Sequence, residues 1–539
     1  MQFDPHYYPT ASRRMTTYGR RGMVATSQSL AAQTGMDILK QGGNAVDAAI
    51  ATAAALTVVE PTSNGLGSDA FALVWINDEL HGLNASGRAP QGISREAVRA
   101  RGFDAMPEHG WLPVTVPGAP GAWAELSARF GVLDFADLLA PAIALAEDGF
   151  PVSPVVQQLW AEAHATYATY DDAVFAPWFE TFSIDGRAPR VGELWHAPDH
   201  ARTLRAIAET HAETFYRGDL AQRMDAHSRD HGGFLRAEDL AAYRPEWVTP
   251  VSAEYRGHDI WEIPPNGSGL IALMALNTLN GDAPLHQDTP HAHLDTLHRR
   301  IEALKLAYVD GLHYIGDADH MPVTAEAMLS PEYAARRRAL IGDRALDPEP
   351  GEIPRGGTVY LATADAEGNM VSFIQSNFHG FGSGVVVPGT GISLQNRGES
   401  FSLEAGQVNA LAPGKRPYHT IIPGFITHRG RAVGPFGVMG GYMQPQGHVQ
   451  VVTGLLDEHL NPQAALDAPR WKWVAGRTVE VEPHFPDHLA QALQRRGHDI
   501  VKCHDSLSFG RGQVILRDPD SGVLSGGTEP RADGAVLAW

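Results

Sequence analysis

The run of residues that most limits how this chain can fold is Ala45–Val59, where only Asp47 and two threonines interrupt an otherwise apolar stretch. A membrane-spanning helix needs about 20 apolar residues, so this run is too short to cross a bilayer. A helix that is apolar on every side is stable only when protein surrounds it. We therefore predict a buried helix here. Helical spacing over residues 27–40 predicts a second one, ending before Gly42-Gly43.

Composition and charge exclude several classes of protein. The 539-residue chain is 43% hydrophobic and 19% charged, which suits a large ordered core. Its single cysteine, Cys503, can form neither an internal disulfide nor a thiolate cluster for zinc. The formal net charge is −20 and no block of lysines and arginines occurs, so we expect no nucleic-acid partner.

The N-terminal stretch MQFDPHYYPTASRRM has no apolar core after its basic residues, and a secretory signal would need one. No apolar run in the chain is long enough to span a bilayer. We therefore expect a cytoplasmic protein with no membrane partner.

Helix-like and strand-like segments alternate along the chain, which predicts a mixed α/β fold. Apolar residues on both sides of Asn77-Asp78-Glu79 predict a β-hairpin. Residues 133–340 are predicted to be mostly helical, and residues 341–357 to form an exposed linker where a chain can be cut. Further predictions are a second hairpin with strands at 358–364 and 370–375, a strand at 433–439, a turn at Gly440-Gly441 and a helix at 446–456.

Thr358 follows two glycines at the junction between the predicted linker and the second hairpin. If the chain were cut after Gly357, the hydroxyl and the new α-amine of Thr358 would lie together at the start of a strand, as a nucleophile with its own base. An α-amine has an ordinary pKa of about 7.7 to 8.0, which suits this role near neutral pH. The motif alone is weak, because Gly526-Gly527-Thr528 also occurs, and the alternative is a glycine pair before an ordinary strand.

Several stretches together are similar to the γ-glutamyltransferase family, in order, from about residue 22 to the C-terminus. They are GMVATSQSLAAQTGMDILKQGGNAVDAAIAT, VPGAPGAWAEL, PAIALAEDGFPVS, FYRGDLAQRM, GGFLRAEDLAAYRPEWVTPVSAEYRGHDIWEIPPNGSG, the hairpin beginning at Thr358, LAPGKRP and PFGVMGG.

This resemblance implies an N-terminal-nucleophile hydrolase with the four-layer αββα sandwich, one composite domain made of two autoprocessed pieces. Residues 1–357 would be the large subunit and 358–539 the small one, held together and able to pair into a dimer of such units. No cofactor and no metal are implied. Thr358 would attack a small-molecule amide and form an ester-linked acyl-enzyme, and the acyl group would then pass to water or to an amine.

The resemblance also assigns residues around the nucleophile. Gly440 and Gly441 fall where the family places the backbone N–H groups that stabilise the oxyanion. Ser376 stands where the family usually has a second threonine that hydrogen-bonds the nucleophile. The cleavage site would be the bond between Gly357 and Thr358.

The residues that would hold the donor depart from the family pattern. Ser86 replaces the arginine that binds the donor's α-carboxylate, and Arg88, two residues along, would reach the same pocket if the strand continued. Near Asn396, Arg397 and Ser400 replace the glutamine and aspartate that grip the donor's ammonium group. His419 and Thr420 replace paired serines. We expect these changes to give a basic pocket that repels an ammonium group.

The predicted function is therefore an autoprocessing N-terminal-threonine amidohydrolase or acyltransferase that cleaves a γ-glutamyl or similar small anionic amide. An alternative is a hydrolase of oxamate or of a dicarboxylate monoamide with little γ-glutamyl activity. A second alternative is an unprocessed, inert family member. Metal hydrolysis by His286, His291, His293 and His298 is disfavoured, because no carboxylate completes a recognised ligand set.

Overall fold

A computed structural model describes residues 4, 14–281, 290–348 and 357–539. Two seven-stranded sheets dominate it. The first has the order β21 (Ala535–Ala538), β2 (Gly22–Thr26), β10 (Gly357–Asp365), β11 (Met370–Phe378), β3 (Asp69–Ile76), β4 (Glu79–Ala85) and β7 (Glu246–Val248). The second has the order β1 (Thr17–Gly19), β20 (Leu524–Thr528), β19 (Arg511–Arg517), β15 (Arg431–Met439), β14 (Gly424–His428), β9 (His258–Glu262) and β8 (Val251–Tyr255).

Three smaller sheets lie outside these two. They are β5 (Phe150–Pro151) with β6 (Leu194–Trp195), β12 (Val386–Val387) with β13 (Ile392–Ser393), and β16 (Trp471–Ala475), β17 (Thr478–Val481) and β18 (Asp499–Lys502).

The α-helices of the described residues are α1 (Ser29–Lys40), α2 (Ala45–Val59), α3 (Arg95–Arg99), α4 (Ala119–Phe130), α5 (Phe135–Asp148), α6 (Pro154–Tyr167), α7 (Ala176–Phe182), α8 (Pro198–Thr210), α9 (Glu213–Arg217), α10 (Asp219–Asp230), α11 (Ala237–Ala242), α12 (Gly269–Asn280), α13 (Pro290–Tyr314), α14 (Ala325–Met328), α15 (Pro331–Arg338), α16 (Gln444–Leu456), α17 (Pro462–Asp467) and α18 (Asp487–Arg495). None of them is long and apolar enough to cross a membrane.

Three hydrophobic cores show how the layers stack. One core lies between the two large sheets and joins Phe71 of β3 and Tyr360 of β10 to Phe425 of β14. A second packs α2, α4, α5 and α8 against the first sheet, and a third packs α12, α13 and α16 against the second sheet. The order helix, sheet, sheet, helix is the predicted four-layer αββα sandwich.

Helix α2 occupies the predicted residues and is buried along its whole length. Its one charged residue, Asp47, serves the helix N-terminus, since its carboxylate accepts from the N–H of Asn44 and of Val132. The Asn44 side chain accepts in turn from the N–H of Asp47, which completes a capping box. The threonines hydrogen-bond backbone carbonyls one turn back, so the helix buries no unsatisfied hydroxyl.

Both predicted hairpins are confirmed, with longer strands than the apolar runs indicated. Asn77 and Asp78 have φ of 54° and 59°, which is the left-handed pair that a tight two-residue turn requires. The second hairpin, β10 and β11, is flanked by β2 and β3, so its backbone is hydrogen-bonded on both sides. Residues 349–356 of the predicted linker lie outside the described residues.

The prediction of a mostly helical segment from 133 to 340 was incomplete, because strands β7, β8 and β9 interrupt it. Strand β7 pairs with β4 at one sheet edge, and β9 pairs with β14 in the other sheet. Apolar and polar residues alternate in VSAEYRGHDIWE, and sequence analysis missed this sign of β-strands. These short strands link the large piece of the chain to both sheets.

His298 belongs to a buried group with Glu302 and His498, whose ligand atoms lie within 4.8 Å of one another. The ammonium of Lys305 lies 2.8 Å from Glu302 and 3.5 Å from His498 Nδ1. His298 Nε2 donates to the Gly342 carbonyl, so its Nδ1 accepts from His498 Nε2 at 2.8 Å. A lysine therefore provides the positive charge in this cluster, and both histidines are held neutral. Of the other three histidines weighed as ligands, His286 and the side chain of His291 lie outside the described residues, and His293 is not part of this group.

We predict that His498 makes stability depend on pH. Burial, with the nearby charge of Lys305, lowers the pKa of His498 to about 3. The unfolded state then binds more protons between about pH 6.5 and 3, so the contribution is complete above pH 6.5 and is lost as the pH falls. By pH 5 the loss is about 2 kcal/mol.

The test is urea unfolding at pH 7.5 and pH 5. The fall in the free energy of unfolding should be smaller in His498→Gln than in the wild type, whereas His504→Gln, at an exposed position, should behave as the wild type does. An identical fall in all three proteins would contradict the prediction.

Candidate active site

Thr358 is the second residue of β10 and is fully buried. Its Oγ1 lies 3.0 Å from Oγ of Ser376 on the neighbouring strand β11, and Ser376 Oγ accepts from the N–H of Phe378 at 2.8 Å. The strand register shifts between Gly357 and Val359, so Thr358 stands at an irregularity of the ladder. Such bulges re-aim a side chain, which here brings the two hydroxyls together.

Gln444 is a further contact of Thr358 that sequence analysis missed. Its Nε2 lies 3.4 Å from Thr358 Oγ1, and its Oε1 accepts from the N–H of Ile422 at 3.0 Å. The residue opens α16 and is fully buried. Its place at the start of the helix that follows the glycine pair is a signal that could have identified it.

The turn at Gly440-Gly441 joins the end of β15 to α16, close to where it was predicted. Gly440 has φ of 134° and Gly441 has φ of 58°, conformations that residues with a side chain rarely adopt. A Cβ on Gly440 would lie 3.0 Å from the Cα of Gly510. Backbone N–H groups at a helix N-terminus have no partner within the helix, which suits them to stabilise an oxyanion.

Arg397 forms the charged part of the site and is completely buried. Its Nη1 donates to Thr420 Oγ1 at 2.8 Å, and its guanidinium lies 4.0 Å from the ring centre of Phe378. Its Nε and Nη2 are buried without a hydrogen-bond partner among the described residues. The predicted residues Arg397 and Thr420 are thus brought together beside the strand that carries Ser376.

Asp69 faces Arg397 and was not identified from the sequence as a site residue. Its Oδ2 lies 3.7 Å from Arg397 Nε and 2.9 Å from His419 Nε2. Burial raises the pKa of Asp69 to about 7, and the Arg397 charge opposes that rise. Burial, with the charges of Arg397 and Arg416, holds the pKa of His419 well below its ordinary value, so the imidazole is neutral. The expected basic pocket therefore contains a buried carboxylate.

Asn396 and Ser400 hold the backbone around Arg397. Asn396 Oδ1 accepts from the N–H of His379, and its Nδ2 donates to the Glu108 carbonyl at 2.9 Å. Ser400 Oγ lies 3.0 Å from the carbonyl oxygens of both Arg397 and Tyr418, and its single O–H can donate to either of them. The structure thus gives Asn396 protein partners on both ends of its amide.

Arg88 is not part of the Arg397 cluster, contrary to the prediction. Its Nη2 binds Glu246 at 3.3 Å, and its Nη1 donates to the Gly414 carbonyl at 3.2 Å. Strand β4 ends at Ala85, so strand alternation does not extend to residue 88. Ser86 itself is buried and hydrogen-bonds Asn84 at 2.7 Å.

A cavity of about 410 Å³ opens beside the glycine turn. Its lining residues come from both sides of the predicted cleavage site in the sequence, and they include Tyr167 of α6, Trp473 of β16 and Gly440. The cavity is large enough to hold a drug-sized ligand. The cavity therefore adjoins the turn to which the resemblance assigns oxyanion stabilisation.

A sandwich of two sheets covered on both sides by helices is the fold of the N-terminal-nucleophile hydrolases. The family model described as Gamma-glutamyltranspeptidase matches residues 31–539. The chain therefore belongs to the γ-glutamyltranspeptidase family and is an enzyme of that family.

Related proteins agree with this assignment. The chain is 37% identical over 533 residues to the glutathione hydrolase-like YwrD proenzyme of Bacillus subtilis (strain 168), covering 96% of this chain and 98% of that protein. It is 35% identical over 536 residues to the oxamate amidohydrolase proenzyme of Klebsiella pneumoniae, with 96% and 98% covered. The crystal structure of cephalosporin acylase from Bacillus halodurans matches with 60% identity and a TM-score of 0.97, covering 100% of this chain and 99% of that chain.

We predict that the Ser376 hydroxyl sets the reactivity of Thr358. Losing one hydrogen bond to a charged or developing charged group costs about 1.5 to 3 kcal/mol, so Ser376→Ala should lower kcat by roughly 10- to 100-fold. Ser376→Thr keeps the hydroxyl and should stay within a few-fold of the wild type. The measurement is release of p-nitroaniline from glutaryl-p-nitroanilide, with KM recorded as well. An alanine variant as fast as the wild type would rule out this role.

Proposed function

We propose that this enzyme cuts its own chain between Gly357 and Thr358 and then hydrolyses amides whose acyl half carries a carboxylate but no α-ammonium group. The observation that carries the donor proposal is the fully buried Arg397. Its Nε and Nη2 have no hydrogen-bond partner among the described residues. The Thr358–Ser376 contact supports the choice of nucleophile.

Self-cleavage would begin with attack of Thr358 Oγ1 on the carbonyl of Gly357. The peptide C–N bond breaks, the acyl group moves to the oxygen as an ester, and the nitrogen becomes an amine. Water then hydrolyses this ester and releases the carboxylate of Gly357. The nitrogen of Thr358 is an amide in the uncut chain, so it gains basic character only through this cleavage.

In the processed enzyme the Thr358 amine would take the Oγ1 proton while the oxygen attacks the donor carbonyl. The tetrahedral oxyanion would accept hydrogen bonds from the N–H groups of Gly440 and Gly441. As the C–N bond breaks, the proton passes to the leaving nitrogen and the acyl group stays on Thr358. Water attacks this ester, restores the hydroxyl and releases the acid, and an amine in place of water would complete a transfer.

The donor proposal follows from the charge and hydrogen bonding of Arg397. A buried guanidinium with unpartnered N–H groups is costly, and a carboxylate can satisfy two of them at once. Asp69 lies 3.7 Å from Nε, beyond hydrogen-bond distance, so it balances charge without occupying the donor. Next to Arg397 an ammonium group would be repelled, which disfavours a γ-glutamyl donor relative to its desamino counterpart.

Two relatives act, by their names, on such compounds or on acyl amides: the oxamate amidohydrolase proenzyme and the cephalosporin acylase. These names support the donor class proposed for this chain. The name of the glutathione hydrolase-like relative supports the competing proposal, which is a γ-glutamyl donor.

Thr358→Ala should stop both self-cleavage and turnover, because the alanine has no oxygen to form either ester. Intact mass and N-terminal sequencing of the purified protein give the readout. The wild type should contain a second chain that begins Thr-Val-Tyr-Leu, and the variant should remain a single chain. A full-length wild-type chain would favour the inert alternative, and a cleaved variant would assign the nucleophile elsewhere.

Glutaryl-p-nitroanilide should be a better donor than γ-glutamyl-p-nitroanilide, which differs only by the α-amino group. Arg397→Gln should raise KM for the glutaryl donor by about tenfold or more, since a charge-assisted hydrogen bond is lost. Arg99→Gln, an exposed arginine paired with Glu404, is the matched control and should leave KM unchanged. Faster hydrolysis of glutathione than of oxamate by the wild type would refute the donor assignment.

A further inference from the structure

Arg511 and Thr62 lie together at the cavity beside the glycine turn, and the reaction described above uses neither of them. Both residues line this cavity. Arg511 opens strand β19 and pairs directly with Met439, the last residue of β15. The backbone of Arg511 is therefore paired with the residue that directly precedes Gly440.

Arg511 has hydrogen-bonding capacity that nothing in the described part of the chain uses. The side chain is 6% exposed, and its Nε is buried without a partner. The guanidinium makes one ion pair, from Nη1 to Glu60 Oε1 at 3.6 Å, which is longer than a hydrogen bond. An arginine that is buried beside a cavity without a hydrogen bond is the arrangement expected of an anion-binding group.

Thr62 adds a second unsatisfied group to the same wall. Its Oγ1 is buried and has no hydrogen-bond partner among the described residues. The other cation of the cavity, Lys472, is already engaged, since its Nζ lies 2.6 Å from Glu480 and 3.2 Å from Ser508 Oγ. An anion that enters this cavity would therefore find unused N–H donors on Arg511 and not on Lys472.

Glu60 does not close the site to an anion. Its Oε2 accepts from Ser27 Oγ at 2.5 Å, which directs that oxygen to the end of β2. Burial raises the pKa of Glu60 to about 7, with Arg511 opposing the rise, so the carboxylate is only partly ionised at neutral pH. The positive charge of Arg511 is thus incompletely balanced.

Arg397 and Arg511 contact different elements beside the strand that carries Thr358. In the sheet order, β10 stands between β2 and β11. Arg397 packs on Phe378 at the end of β11, whereas Arg511 faces Glu60, which is bound to Ser27 just after β2. Because Arg397 is proposed to hold the carboxylate of the acyl half, an anion bound at Arg511 would belong to the amine half of the amide.

We propose that Arg511 and Thr62 form a second anion subsite, which binds a carboxylate on the amine half of the substrate. This inference rests on the proposed function, because it assumes that an amide is cleaved at Thr358. The substrate class that follows is an N-acyl amino acid, or a related amino carboxylic acid, whose acyl half ends in a second carboxylate. The same subsite would hold an amino acid that acts as acceptor.

The test compares N-glutaryl-L-phenylalanine with N-glutaryl-phenethylamine, which share the acyl half and differ only by the carboxylate on the amine half. The wild type should have a kcat/KM at least about tenfold higher for the first. Arg511→Gln should lower this ratio by about tenfold, Thr62→Val by less, and Arg511→Lys should retain part of it. Arg517→Gln, at the other end of β19, is the matched control and should leave the ratio unchanged.

A wild-type ratio near one, or an equal loss on both substrates in Arg511→Gln, would overturn the subsite. Calorimetric binding of L-phenylalanine and of phenethylamine to the wild type and to Arg511→Gln gives a readout that does not need turnover. Tighter binding of L-phenylalanine that is lost in the variant supports the subsite, and equal binding of both compounds overturns it. Failure of the proposed function would appear separately, as an uncut chain that hydrolyses neither amide.

Discussion

The structure depends on the pairing of β10 with strands on both of its sides, because this strand carries Thr358 at its start and lies inside the first sheet. Backbone hydrogen bonds to β2 and β11 fix its position, and the core between the sheets covers one of its faces through Tyr360. A reactive hydroxyl must be held in a fixed position, and a central strand that is buried on both faces is among the most rigid parts of a protein. The bulge beside Val359 then turns the side chain toward Ser376.

The protein buries several charged side chains, both near β10 and in the helical layer, and they pair with opposite charges. Asp69 faces Arg397 and a neutral His419, while Lys305 balances Glu302 in the helical layer. Buried ions are stable only when paired and hydrogen-bonded. Arg397 and Arg511 keep buried N–H groups without hydrogen-bond partners among the described residues, as Arg300 and Arg337 do at Nε.

The proposed donor site accounts for two departures from the family pattern together. If Arg397 holds the donor as proposed, the acyl half carries a negative charge, and Thr420 supports that arrangement by accepting from Arg397 Nη1. The cavity that Arg511 lines has a volume of about 410 Å³. In the proposed mechanism a change of donor needs only changes in the pocket, because Thr358 and the glycine turn act on the amide itself.

The sequence by itself determined the elements with strong local signals: the all-apolar helix α2, the hairpins, the glycine turn and the threonine at the junction. These follow from periodicity and backbone conformation, which neighbouring residues decide. The family resemblance added the roles of Ser376 and Arg397. Tertiary structure alone decided which distant side chains meet, so Asp69, Gln444 and Arg511 were missed and Arg88 was misplaced. Contacts between residues hundreds of positions apart depend on strand order and on where each strand ends, and local sequence does not encode either of them.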